Sequence, residues 1–365
     1  MPLPPVWVRR CVIAPAVILA AFALVTTLPL WAIVAVGLTA LVPGRMRVPR
    51  VAWMVTFYLV WNSAALVALF VLWVASGFGW KIDTPRFQNG HHRLAGVMLR
   101  FLFRQAHWVL RLRIDLDVAG RIEPLPDGPL LVASRHGGPG DSFVLIHLLL
   151  NVLGRQPRVV LKESLQWDPA IDVILNRLPN EFIAPAPFTG SGEAGSGAST
   201  AERIGELAAD LDHDDALVIF PEGGQFTRER RRRRIEGLRL RGSEARARRA
   251  EAMTHVMAPR PGGLLAAVDA APDARLLVVA HTGLDRMQTL RDIWRELPMD
   301  KRIVLHGWLL EPEEVPRVGE ATDDARVDWL YDWWERVDAW IADHPRGVAA
   351  DVADPGPPRD LPSSP

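Results

Sequence analysis

Two long apolar stretches open the chain, and a regular alternation of short apolar runs with amphipathic segments follows them. Cys11–Val42 carries no charged residue, and Val51–Trp80 is a second uncharged run in which Trp53, Tyr58, Trp61, Trp73 and Trp80 are scattered. A bilayer core is crossed by about 20 apolar residues in a helix, so both runs qualify as membrane helices. The first is too long for the apolar core of a signal peptide and a second span follows it, which favours insertion over cleavage. Thr26-Thr27-Leu28-Pro29 offers a place for the first run to fold into a hairpin. Arg9 and Arg10 before the first run, Arg45, Arg47 and Arg50 between the two, and Lys81 and Arg86 after them leave the positive-inside balance undecided.

Beyond the apolar runs, Pro85–Leu112 reads as a basic amphipathic helix, suited either to a bilayer surface or to packing on the next domain. Strands are predicted over Ile114–Val118, Leu130–Ser134, Arg158–Lys162, Phe182–Pro185, Leu217–Phe220, Leu276–His281 and Ile303–Leu309. Helices are predicted over Ser142–Leu153, Ala201–Leu211 and Gly262–Ala270. Such alternation implies an α/β fold with a mainly parallel sheet flanked by helices, preceded by N-terminal transmembrane helices. Gly190–Ser199 reads as a flexible loop, and Asp324–His344 as a Trp-rich helix whose core stripe is Trp329, Trp333, Val337 and Trp340. The resulting division is a transmembrane region over 1–84, a domain over 85–347 and a disordered tail over 348–365.

Composition changes the picture little. The chain has 365 residues and zero formal net charge, and its single cysteine, Cys11, excludes an intrachain disulfide framework and cysteine-rich zinc sites. Charge is segregated, however, with arginines crowding the middle of the chain. Arg228 and Arg230–Arg234 form a run, continued by Arg239, Arg241, Arg246, Arg248 and Arg249. After two apolar spans such a patch points to anionic headgroups or phosphates, with a solvated helix face as the plain alternative, and away from nucleic acid.

Candidate chemistry lies at two strand ends. His136-Gly137-Gly138-Pro139-Gly140-Asp141 follows the strand Leu130–Ser134, and its turn-forming residues fold the aspartate back toward the histidine, with Asp141 at the N-cap of the next helix. Phe220-Pro221-Glu222-Gly223-Gly224 ends a second buried strand. Loops at the carboxyl ends of parallel strands share one crevice, so the two turns can face each other.

This ordered pair resembles the hallmark blocks of the glycerolipid acyltransferases, the family typified by 1-acyl-glycerol-3-phosphate acyltransferase, over roughly 114–285. Gly224-Gln225-Phe226-Thr227 and the Pro-Arg block at His255–Gly263 are similar to the branch with lysocardiolipin and lysophosphatidylinositol acyltransferases. The resemblance implies a membrane-bound enzyme that moves an acyl group from acyl-CoA or acyl carrier protein to a lysophospholipid or related lipid hydroxyl. It needs no metal or bound cofactor, and its domain lies on the cytoplasmic face of a multi-pass arrangement. By the same resemblance His136 is the general base and Asp141 its orienting carboxylate, while Glu222 positions the acceptor or supports the loop. Gly223, Gly224, Lys162 and Arg228 complete the expected substrate-binding set. The pattern departs where an arginine is expected to grip the acceptor phosphate: Phe182-Ile183-Ala184-Pro185 and Gln225 hold none. That argues against lysophosphatidic acid as acceptor. A hydrolase with the same His-Asp pair and a non-catalytic membrane scaffold are the competing readings; no Gly-x-Ser-x-Gly elbow supports a serine hydrolase.

Overall fold

The computed structural model describes residues 3–42, 46–116, 127–138, 140–183, 193–283, 294–295, 297 and 302–344. The first apolar run becomes α1, Val6–Thr26, and α2, Leu28–Ala40; the second becomes α3, Arg47–Ala75. Within α1, Pro15 has no amide to return to Cys11, and the ladder there loosens into a π turn over Arg9–Ile13. The break at Thr27 falls where the sequence offered a fold-back, and Trp31 Nε1 donates to the Leu24 carbonyl across it at 2.9 Å. Only α1 and α3 among the described helices are long and apolar enough to cross a membrane.

Helix α3 lies antiparallel along α4, Pro85–Leu110, through nearly its whole length. Arg50 donates to the Val109 carbonyl, Trp53 to Gln105 Oε1 at 3.1 Å and Trp61 to the Met98 carbonyl at 2.8 Å. At the far end Gly90 faces Leu72. The hairpin is thus laid against the rest of the molecule, and Arg47 at its turn reaches the Leu297 carbonyl at 2.7 Å.

All seven expected strands form: β1 Arg113–Leu116, β2 Leu130–Ser134, β3 Gln156–Lys162, β4 Glu181–Ile183, β5 Asp215–Ile219, β6 Arg275–Thr282 and β7 Arg302–Leu310. Their order is β1-β7-β6-β2-β5-β3-β4, and every pairing is parallel except β6 with β7. β2 and β5 are buried at every position, as strands covered on both faces must be. One face carries α4 and α5, Asp141–Asn151, over Leu130, Val132, Val218, Leu277 and Val279. The other carries α7 Glu193–Ala209, α8 Arg228–Leu240, α9 Glu244–Ala252, α10 Pro261–Ala270 and α11 Asp323–Asp343 over Leu131, Leu217, Leu276 and Val278. The short α6, Pro169–Leu175, packs against the hairpin.

Three expectations are corrected. Gly140, not Asp141, is the N-cap of α5; Asp141 is the first helical residue, because its carboxylate is held back by the loop behind it. Much of Gly190–Ser199 is helix, since α7 begins at Glu193 and is propagated from its packed half, which lies against α10. In α11 the buried face is Leu330, Trp334, Val337 and Ile341, one residue round from the expected stripe, so that Trp334 is enclosed while Trp329, Trp333 and Trp340 are partly covered. The expected tail, 348–365, and the ends of two expected strands at 117–118 and 184–185 lie outside the described residues.

Candidate active site

The sheet order brings four chemistry-bearing strand ends to one edge. β6, β2, β5 and β3 are consecutive and parallel, so the residues after their carboxyl ends are neighbours: His281 on β6, His136 after β2, Glu222 after β5 and Lys162 closing β3.

His136 is oriented from both sides of its ring. Its Nδ1 stands 2.9 Å from Asp141 Oδ2, which also accepts the Gly138 amide at 3.1 Å. The other oxygen, Oδ1, accepts the Ser142 amide at 2.7 Å. With the carboxylate fixed, Nδ1 is the protonated nitrogen and Nε2 is left as a base that makes no hydrogen bond to the described residues. Phe220 covers the ring, with centroids 4.6 Å apart and planes tilted by 30°. Burial alone would raise the Asp141 carboxyl. The hydrogen bond from His136 and the proximity of His281 outweigh it and hold that carboxyl well below the usual carboxylate range.

Glu222 is a brace. It is wholly buried, and its two oxygens accept the His136 amide at 3.1 Å and the Met257 amide at 3.2 Å, tying both turns to the strap before α10. Burial pushes its carboxyl up to about 7, against the opposing charge of Arg135 and the two amides. Arg135, itself buried, donates to the carbonyls of His281 at 2.8 Å and His255 at 3.4 Å. This packing explains the glycine at 137: a Cβ there would lie 2.5 Å from Arg135 Nη2. Further bonds close the loop pair, from the Phe226 amide to the His136 carbonyl at 2.7 Å and from the Arg260 amide to the Pro221 carbonyl at 2.7 Å.

The remaining expected site residues separate. Gly223, at φ +66°, and Gly224 form the turn beside the site, and the Gly223 amide is committed to the Phe220 carbonyl at 2.9 Å. A Cβ on Gly223 would meet Arg260 Cδ at 2.9 Å, and one on Gly224 would meet Arg230 Nη1 at 3.0 Å. Lys162 lies within the field of both Arg230 and Asp141, and burial followed by the Arg230 charge lowers its ammonium pKa. Arg228 begins α8 exposed to solvent, and it is Arg230 that reaches the turn.

Most of the arginine run serves the fold. Arg231 caps the carbonyls of Met253, Ala250 and Glu251, Arg234 donates to the Glu222 carbonyl at 3.1 Å, and Arg232 and Arg233 pair with Glu229. Arg246 and Arg249 bind Asp324, Asp328, Asp332 and Glu335 of α11. Sequence reasoning missed Arg135, Arg230, Arg260 and His281 as site residues. The available signal was positional: each flanks a hallmark turn or, for His281, ends a strand beside β2.

Residues 117–278 match the family model described as Acyltransferase, a span that includes both turns. No curated protein matches the sequence. Among solved structures, the 1-acyl-sn-glycerophosphate (LPA) acyltransferase PlsC from Thermotoga maritima is similar at 12% identity and TM-score 0.43, over 77% of this chain and 96% of that one. The segment that carries His136, Asp141 and Glu222 is the segment the family model covers, and over these residues the chain is similar to the Acyltransferase family.

Proposed function

We propose that this chain is a membrane-seated O-acyltransferase that moves a fatty acyl group from the thioester of acyl-CoA or acyl carrier protein to the hydroxyl of a lysophospholipid. The observation that carries the reading is the His136–Asp141 pair at the carboxyl edge of the sheet, with Nδ1 engaged and Nε2 open. His136 Nε2 takes the proton of the acceptor hydroxyl while its oxygen attacks the thioester carbonyl. The C–O bond forms, the tetrahedral oxyanion collapses, the C–S bond breaks, and the imidazolium returns its proton to the departing thiolate. Asp141 stabilises the imidazolium between these steps. The Gly138 and Gly223 amides are already committed, which leaves those of Gly137 and Gly224 as donors to the oxyanion.

Arg230 and Arg260 converge on the Gly223–Gly224 turn, Lys162 lies within the field of Arg230, and none of the three has a carboxylate within ion-pair distance among the described residues. Like charges gathered without a counter-ion suit a phosphate-bearing acceptor, and they supply from other positions the cations missing at Phe182–Pro185 and Gln225. The bilayer seat is the hairpin face carrying Leu19, Phe22, Leu30, Ile33 and Phe70, all exposed. In this reading the hairpin lies within one leaflet in place of the expected multi-pass crossing. A perpendicular α3 would carry the exposed Arg93, Arg100 and Arg104 of its neighbour α4 into hydrocarbon, at about 3 kcal/mol each.

The test is incubation of the purified protein in mixed micelles with radiolabelled acyl-CoA or acyl carrier protein and a panel of lysolipids. Acylated lipid that disappears in His136→Ala is expected. Free fatty acid without acylated lipid would replace this reading with the hydrolase.

A further inference from the structure

Resting on the acyl-transfer reading above, we propose that His281 is the positioning residue of the base, holding Asp141 from the side opposite His136. His281 is the next-to-last residue of β6, 3% exposed, in the strand beside β2. Its Nε2 is 3.2 Å from the Arg135 carbonyl oxygen and 3.6 Å from Asp141 Oδ2, the oxygen that receives His136 Nδ1. Both neighbours are acceptors, so Nε2 carries the hydrogen. Nδ1 is buried with no partner among the described residues, so the hydrogen bonding of the ring is carried by Nε2. The backbone completes the brace, because the His281 carbonyl accepts the guanidinium of Arg135, whose charge faces Glu222.

One residue of β6 therefore touches both halves of the site: the aspartate by its ring and the arginine by its carbonyl. The N–H edge of His281 aims positive charge at Oδ2 and shares that oxygen with His136. This fixes the carboxylate and moderates the pull it exerts on the His136 proton. The charged and titratable groups that meet the ring are Arg135, through its carbonyl, and Asp141 from α5, which His136 shares; Glu222 and the His255 carbonyl stand behind Arg135, and β7 pairs Leu305 with His281. Without the His281 N–H, Oδ2 would be more basic and His136 harder to deprotonate. The acid limb of the rate profile would move to higher pH.

The experiment compares His281→Leu and His281→Gln with the wild type and with His136→Ala, recording kcat, KM for donor and acceptor, and the pH dependence of kcat/KM. The Gln amide nitrogen falls where Nε2 does, so it restores the donor; Leu fills the space without one. Expected is a fall in kcat of about tenfold or more for His281→Leu with both KM values retained. Its acid limb should move up by about 0.5 to 1 pH unit, and His281→Gln should recover most of both. A His281→Leu enzyme with unchanged kcat and limb overturns the proposal. So does a His281→Gln enzyme as impaired as His281→Leu with the limb unmoved, which is the signature of packing alone. Should His136→Ala keep full activity, the acyl-transfer reading fails instead.

Discussion

Two of the buried polar seams among the described residues are built on opposite plans. At the sheet edge, Asp141 and Glu222 are met largely by backbone amides, from Gly138, Ser142, His136 and Met257, so that one imidazole nitrogen stays open. Where the hairpin meets α6, side chains answer side chains. Arg9 pairs with Asp172 at 2.7 Å and donates to Gln166 at 2.7 Å, Asn62 donates to both oxygens of Asp168 at 2.8 Å, and Tyr58 also bonds Asp168. The contrast separates two purposes. Backbone donors leave an imidazole nitrogen open at the sheet edge; paired side chains bind one another and hold the hairpin down.

If that division is right, perturbing each seam should fail differently. His136→Ala should lower the acyl-transfer rate by about 10³-fold with the melting temperature unchanged, measured by initial rates and calorimetry. Asp172→Ala leaves the Arg9 charge buried and unpaired, so it should cost about 3 to 5 kcal/mol in denaturant unfolding while kcat per folded molecule is retained. A loss of kcat without destabilisation would merge the two seams into one functional unit.

Glu222 sharpens the comparison through pH. Its folded pKa of about 7 lies above the ordinary value of 4.5, so the folded state binds the proton more tightly than the unfolded one. Its stabilising contribution is complete below about pH 4.5 and is lost as pH rises through about 7. Across that window the wild type should lose on the order of 3 kcal/mol relative to Glu222→Gln, read from paired denaturation curves. At the small end, Arg232→Ala removes exposed pairs with Glu229 and Glu236 and should change stability by less than about 1 kcal/mol.

Legibility followed the range of the interaction. Seven strands announced themselves because a buried strand is a local apolar run bounded by turn residues. The two turns were legible because glycines and a proline must stand where the chain reverses. The arginine run misled for the opposite reason, since sequence shows the charges while their partners, such as Asp332 and Glu335 of α11, lie far along the chain. The Trp stripe of α11 slipped by one residue because aromatic and aliphatic positions alternate around it, and only docking on the sheet selects Trp334. His281 carried no local mark at all.

The sequence by itself determined the alternation that makes the α/β sheet, the apolar hairpin, and a His-Asp turn followed by a Glu-Gly turn, because each is dictated by periodicity and turn chemistry within a few residues. Tertiary structure alone decided the strand order that sets β6 beside β2 and makes His281 a neighbour of Asp141. It also decided the laying of α3 along α4, and which cations face the Gly223–Gly224 turn. Those outcomes depend on how buried charges are satisfied across hundreds of residues, and no short window of sequence contains both partners.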